Sequence, residues 1–113
     1  MTAYDLEHGL EVARRCPDDL FIAGLLHDSI EDGLLTRADL REHFDAATIL
    51  AISAVTRRRN EPYDAYIRRV AKDPDGRPVK IADLEANLAR MDAEHESLRP
   101  RYEKALDYLR SLD

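Results

Sequence analysis

Cysteine, glycine and long apolar runs are all scarce in this 113-residue chain. The single cysteine, Cys16, cannot form an internal disulfide, so nothing in the sequence indicates an oxidising compartment. No apolar run approaches the roughly 20 residues that span a bilayer, and the first residues lack the pattern of a signal peptide. These absences predict a soluble, cytoplasmic protein that does not cross a membrane.

The composition favours helices. The chain has no tryptophan and only 4 glycines, while 44% of its residues are apolar and 35% are charged. This balance is typical of a compact helical protein rather than a β-sandwich or a disordered chain. The net charge of −6 argues against non-specific binding to nucleic acid, although a metal or local cations can still attract a small anion. We expect one all-α domain over residues 1–113, a bundle of about five to seven helices.

The segment from Leu20 to Leu26 contains no polar residue. Such a run predicts a helix that is buried on nearly all sides. Asp18 and Asp19 suit the cap and first turn of this helix, and Gly33 suits its end. The sequence therefore predicts one central helix over 18–32.

Ionisable side chains occupy the last turns of this expected helix. At about 100° per residue, His27 and Glu31 share one stripe of the helix. Asp28 and Asp32 share the adjacent stripe, so the four side chains form one compact patch. Isolated buried charge costs several kcal/mol, and a divalent cation held by imidazole and carboxylate offsets that cost. The patch therefore indicates a cavity or a metal.

The rest of the chain alternates between helices and turns. Thr36, with Asp39 three positions later, predicts a capping box at the start of a helix. Residues 73–76 predict a turn. Further helices are expected over 1–15, over 46–55, from Pro62, from about Pro78 and around Tyr102.

Three separated places supply side chains that ligate metals: His8, the pair His27–Asp28, and Asp83 on an otherwise core-facing helix. Two imidazoles and two carboxylates make a mixed nitrogen and oxygen site. Such a site suits Mn²⁺, Fe²⁺ or another borderline divalent ion better than a structural zinc. Because four ligands leave positions for water and substrate, the set is typical of a hydrolase.

His8, the pair His27–Asp28 and Asp83 also look like the H…HD…D signature of HD-domain metal-dependent phosphohydrolases. The resemblance covers most of the chain, from about Tyr4 to Asn87. It implies the helical HD-domain fold and one divalent metal, Mn²⁺ first, with Fe²⁺, Zn²⁺, Co²⁺ and Ni²⁺ as alternatives.

Two longer motifs are similar to the RelA/SpoT-type guanosine polyphosphate hydrolase branch of that family. Residues 25–33 read LLHDSIEDG against LLHDxxEDT, and residues 80–87 read KIADLEAN against KLADxxxN. Val55–Thr56 matches a Val-Thr pair that ends an intervening helix in the branch. The similarity implies hydrolysis of a nucleotide phosphoester or pyrophosphate, with a (p)ppGpp-like compound as one substrate.

The resemblance implies a role for each matched position. The implied metal ligands are His8, His27, Asp28 and Asp83. Glu31 and Asp32 would orient or activate the attacking water and handle the leaving-group proton, and spacing does not decide which of them is the base. Asn87 would help to hold the nucleotide sugar.

The basic run 57–59 has two interpretations. It is either a solvated helix end that complements the helix dipole, or a phosphate clamp. In the second case Arg57 and Lys80 bind the substrate, with Arg68 and Arg69 as further candidates.

The chain departs from the family pattern in three ways. His8 is followed by Gly9 where the family has a His-Pro pair, Gly33 stands where the branch has Thr, and only three residues precede Tyr4. We therefore expect a short form that lacks the usual first helix. An alternative function stays open: a catalytically degenerate HD module that binds metal or nucleotide and regulates a partner. The expected partners are a small anionic nucleotide and, as an option, further copies of the chain, with no nucleic acid and no membrane.

Overall fold

The chain folds into α-helices in the computed structural model, which describes the backbone of residues 3–112 and the side chains of residues 7–112. No residue in the described backbone forms a β-strand. The helices are α1 (Ala3–Arg15), α2 (Phe21–Leu25), α3 (Arg37–His43), α4 (Ala46–Ala54), α5 (Tyr63–Ala71), α6 (Gly76–Ala89) and α7 (Arg99–Arg110). Two 3₁₀ helices cover Asp18–Leu20 and Ala93–Leu98. The expected all-α class is confirmed, while the expected helix start at residue 1 lies outside the described residues.

Helix α6 lies at the centre of the bundle. It contacts α1, α2, α4, α5 and α7. Its inner side buries Val79 and Leu84 completely, and the largest fully buried side chains of the other helices include Leu40, Ile52 and Leu109. A polar side chain on the inner side of α6 is therefore surrounded by several helices. None of the described helices is long and apolar enough to cross a lipid bilayer.

The expected continuous helix over 18–32 is wrong. Helix α2 ends at Leu25, and residues 26–33 form consecutive turns. The buried imidazole of His27 places Nδ1 2.7 Å from the carbonyl oxygen of Gly24, the acceptor that a continuing helix would offer to the N–H of Asp28. The backbone forms a tighter turn instead, in which the N–H of Ser29 donates to the carbonyl oxygen of Leu26 at 2.9 Å.

The expected burial of this segment on nearly all sides is also wrong. Phe21 and Ile22 are 37% and 40% exposed, whereas Ala23 and Gly24 are buried. Helix α2 therefore covers the core with one face only. Asp18 does not cap a helix either, since it opens the 3₁₀ turn that precedes α2.

Some of the expected helix ends are confirmed and others move by a few residues. The capping box is present, because Thr36 Oγ1 accepts from Asp39 N at 3.1 Å and Asp39 Oδ2 accepts from Thr36 N at 2.9 Å. Helix α6 begins at Gly76, before Pro78, because Asp73 Oδ1 accepts from Gly76 N at 2.7 Å and folds the expected turn into the helix start. Helix α5 begins at Tyr63, one residue after the expected start, and Pro62 occupies the N-cap position. The 3₁₀ helix before α7 was not expected.

Candidate metal centre

Four side chains from three segments meet beside the middle of α6. His8 comes from α1, His27 and Asp28 from the turn after α2, and Asp83 from α6. His8 Nε2 and His27 Nε2 lie 3.0 Å and 3.1 Å from the same oxygen, Asp83 Oδ1. Asp28 Oδ2 lies 3.1 Å from His27 Nε2. The ligand atoms of His8, His27 and Asp28 all lie within 4.8 Å of one another, and Asp83 joins this group through the contacts of Oδ1 with both imidazoles.

Two glycines allow α1 to approach α2 closely enough for this meeting. A Cβ atom at Gly9 would lie 2.8 Å from the carbonyl oxygen of Leu25. A Cβ atom at Gly24 would lie 3.0 Å from Ala13 Cα. This role was not predicted from the sequence, although a glycine within a helix costs about 1 kcal/mol relative to alanine and therefore indicates a packing reason.

The orientation of His27 is fixed by its hydrogen bond to the backbone. Nδ1 lies 2.7 Å from the carbonyl oxygen of Gly24, so Nδ1 carries a proton and donates. The lone pair of Nε2 in the neutral ring then faces the carboxylates of Asp28 and Asp83, each 3.1 Å away. Lone pairs that converge in this way repel unless a cation or a proton lies among them.

A proton satisfies this arrangement in the metal-free protein. Burial lowers the pKa of His27, but the carboxylates of Asp83 and Asp28 outweigh burial and raise that pKa to about 10. A metal ion would have to displace this proton, because metal-bound imidazole is neutral at the ligating nitrogen.

Asp83 accepts hydrogen bonds from two more side chains. Lys80 Nζ donates to Oδ2 at 2.8 Å, and Asn87 Nδ2 donates to Oδ1 at 3.3 Å. Burial alone would raise the pKa of Asp83, but Lys80 and His27 hold it well below its usual range. Asp83 is thus a buried anion, and the substrate-binding roles of Lys80 and Asn87 stay predictions.

A small cavity of about 30 Å³ adjoins the two imidazoles and Asp28. This volume exceeds the roughly 10–15 Å³ that a cavity needs to hold one water molecule. Ser29 also lines the cavity, and its Oγ is buried without a hydrogen-bond partner in the described part of the chain. Because an unpaired buried hydroxyl is costly, this orphan favours a polar occupant.

The two predicted catalytic acids differ in their surroundings. Asp32 is exposed and lines the same small cavity. Glu31 accepts a hydrogen bond from the backbone N–H of Arg57 at 2.6 Å. Partial burial of its carboxyl group raises the pKa of Glu31, although the Arg57 N–H bond opposes that shift. Their catalytic roles stay predictions.

Two basic residues of the predicted phosphate clamp, Arg57 and Arg69, both contact Glu61. Arg57 is exposed, and its Nε donates to the carbonyl of Glu61. Arg69 is committed within the protein, since it binds both carboxylate oxygens of Glu61 at 2.9 Å and the carbonyls of Ala54 and Thr56 at 3.0 Å. Arg69 therefore ties down the loop before α5. Arg57 stays a predicted substrate residue.

A second group of potential ligands lies at Asp92, Glu94 and His95. All three are exposed, and Asp92 Oδ1 accepts hydrogen bonds from the backbone and the ring of His95. These bonds cap the 3₁₀ helix Ala93–Leu98. The group is explained by local structure.

No protein-family model matches the chain, and a comparison with curated proteins finds no relative.

Proposed function

We propose that this chain is a divalent-metal-dependent phosphohydrolase that cleaves a phosphoester or pyrophosphate of a nucleotide, with a (p)ppGpp-like compound as the first substrate to test. The observation that carries the proposal is the meeting of His8 Nε2 and His27 Nε2 on Asp83 Oδ1, at 3.0 Å and 3.1 Å. Asp28 completes the set. The order of motifs along the chain, described above, supplies the reaction class.

The donor set fits a borderline divalent ion. Two imidazole nitrogens and two carboxylates suit Mn²⁺, with Fe²⁺, Zn²⁺, Co²⁺ and Ni²⁺ as alternatives. The orphan hydroxyl of Ser29 beside these ligands supports a polar occupant. When bound, such an ion lowers the pKa of a water ligand and polarises a phosphoryl oxygen.

The chain's own residues would orient the ligands of the ion and exchange a proton with the reacting groups. The Gly24 carbonyl orients His27, while Lys80 and Asn87 orient Asp83. The Arg57 N–H holds one oxygen of Glu31 and leaves the other to exchange a proton. The raised pKa of Glu31 suits that exchange, because an acid or base works best near the pH of the solution.

The size of the centre restricts how a substrate can bind. The cavity of about 30 Å³ is far smaller than the pockets of about 300–1,000 Å³ that enclose small organic molecules. A phosphate group would therefore meet the centre at its open side, where the side chain of Asp28 is 42% exposed. The sugar and base would lie outside this cavity.

One observation favours the alternative function, a binding module without turnover. Lys80 already supplies a cation to Asp83, and its side chain is only 12% exposed. An internal cation weakens the attraction of the centre for a metal. In that case the chain would bind a nucleotide and regulate a partner.

Metal content tests the centre directly. We expect the native protein to retain stoichiometric Mn²⁺ after dialysis, and His27→Gln to lose it. His43→Gln is the matched control, because His43 is exposed at the end of α3. Bound metal should also raise stability by about 2.7 kcal/mol at a free concentration 100 times the dissociation constant. Equal metal content in His27→Gln and the native protein would contradict the proposed centre.

Phosphate release separates the enzyme from the module. With Mn²⁺ and a panel of nucleotides, we expect turnover that falls about 10²–10⁴-fold in Glu31→Gln or Asp32→Asn while metal content is retained. Asp107→Asn is the control, since Asp107 is exposed on α7. Tight nucleotide binding without turnover in the native protein would instead support the module.

A further inference from the structure

A much larger cavity lies away from the candidate metal centre. It lies between α5 and α7 and has a volume of about 360 Å³, against about 30 Å³ for the cavity at the ligands. The two cavities share no lining residue. Pockets that bind small organic molecules have volumes of about 300–1,000 Å³. This cavity is therefore large enough for such a molecule.

Part of its wall is apolar. Ile67 and Ala105 are buried core residues that form its floor, and the rings of Tyr63 and Tyr108 flank it. Tyr108 is 38% exposed, which is high for a large apolar ring. Aromatic rings next to aliphatic side chains favour a flat, weakly polar body such as a nucleobase.

The rest of the wall is cationic. Arg68, Arg101 and Lys104 line the cavity with a single acid, Asp64, although the chain as a whole carries a net charge of −6. Among the described residues, none of the three cations has an ion-pair partner. The guanidinium of Arg101 lies 4.0 Å from the centre of the Tyr63 ring.

Other arginines of α7 form ion pairs with glutamates. On the same helix, Arg99 binds Glu96 and Arg110 binds Glu85. The cations at the cavity thus differ from the other arginines of α7. Stacking on Tyr63 also holds Arg101 in place, so less side-chain entropy is lost when it binds an anion.

We propose that the cavity between α5 and α7 is a second binding site, whose ligand is a nucleoside phosphate. The base would pack on the ring of Tyr108, and the phosphate would bind Arg68, Lys104 and Arg101, which Tyr63 holds in place. A simple inorganic anion would leave the apolar wall unused, and an uncharged aromatic molecule would leave the cations unpaired. The site requires no metal.

Titration of the full chain with AMP in the presence of EDTA tests this site, followed by the backbone amide NMR signals. We expect shifts in α5 and α7. Arg101→Gln and Lys104→Gln should each weaken AMP binding roughly tenfold, the usual loss for one charge-assisted hydrogen bond. Both residues are exposed, and the same spectra show whether each variant is folded. Arg41→Gln, an exposed arginine on α3, is the matched control and should bind AMP normally.

Adenosine and inorganic phosphate serve as separate probes. Each should bind at least tenfold more weakly than AMP if base and phosphate both contribute. Phosphate that binds as tightly as AMP would overturn the nucleotide assignment, and so would Arg101→Gln and Lys104→Gln variants that bind AMP like the native protein. Shifts confined to residues 26–33 and α6 would place the ligand at the metal centre instead. Asp28→Ala should bind AMP unchanged, so this site and the proposed hydrolase can fail independently.

Discussion

Replacing Asp83 by Asn should destabilise the metal-free protein strongly. The side chain of Asp83 is 6% exposed, and the side chain of its partner Lys80 is 12% exposed. The substitution keeps the shape of the side chain and removes its negative charge. Lys80 is then left as an unpaired cation inside the bundle, 2.8 Å from a neutral amide.

The magnitude follows from the burial of this pair. Removing one partner of a buried ion pair costs about 3–5 kcal/mol. At about 4 °C per kcal/mol for a chain of this size, the melting temperature should fall by roughly 12–20 °C. Asp28→Asn is the matched control, because the side chain of Asp28 is 42% exposed and such a pair contributes about 0–1 kcal/mol.

The assay is urea denaturation with EDTA present, followed by far-ultraviolet circular dichroism. A second substitution, Lys80→Met, should recover most of the loss in Asp83→Asn, because it removes the unpaired charge. The reasoning is refuted if Asp83→Asn costs less than about 1 kcal/mol, or if the double variant is as unstable as Asp83→Asn alone.

Three further predictions concern other parts of the chain. Gly9→Ala should lower the free energy of unfolding in urea by about 1–3 kcal/mol and should reduce the retained Mn²⁺. Because alanine normally stabilises a helix relative to glycine, a stabilised variant would contradict the close approach of α1 to Leu25. Thr36→Ala should cost about 1 kcal/mol because it removes the capping box, and unchanged stability would refute that. Hydrogen bonds from Arg69 lower the pKa of Glu61 to about 2, so its stabilising contribution is present above the ordinary pKa of 4.5 and is lost as the pH falls through about 2. Glu61→Gln should flatten the acid loss of stability in urea titrations in that range, and an unchanged profile would contradict the shift.

The meeting of the four ligands was predictable from the order of the motifs, but not from the helical periodicity of residues 18–32. The prediction from periodicity requires a continuous helix. In the structure the His27 ring donates a hydrogen bond to the carbonyl oxygen of Gly24, and the helix ends at Leu25. The polar side chains remain close together because the turns that follow are as tight as a helix. The hydrogen bond between the His27 ring and the backbone depends on tertiary packing. A local sequence pattern therefore does not predict it.

Burial was the less predictable property. The apolar residues of α2 predicted a central helix, yet Phe21 and Ile22 are exposed. In α4, which is also apolar, Leu50 is 66% exposed. An apolar run without periodicity does not indicate which face the rest of the bundle covers. Helix α6, which contacts α1, α2, α4, α5 and α7, is central, and its sequence carries two charged residues on the inner side, Lys80 and Asp83.

Two of the departures from the HD-domain pattern fall where this backbone favours glycine. At Gly9 any side chain would collide with the carbonyl oxygen of Leu25, and proline, which the family has there, would also interrupt the hydrogen bonds of α1. At Gly33 the backbone has φ of +71°, a conformation that is costly for a β-branched residue such as threonine. Gly33 ends the turns that carry His27 and Asp28, and Gly9 sets how closely α1 brings His8 to them. Gly9 therefore fits a centre held together by close backbone packing of α1 against the end of α2, whereas Gly33 acts only through its own backbone conformation.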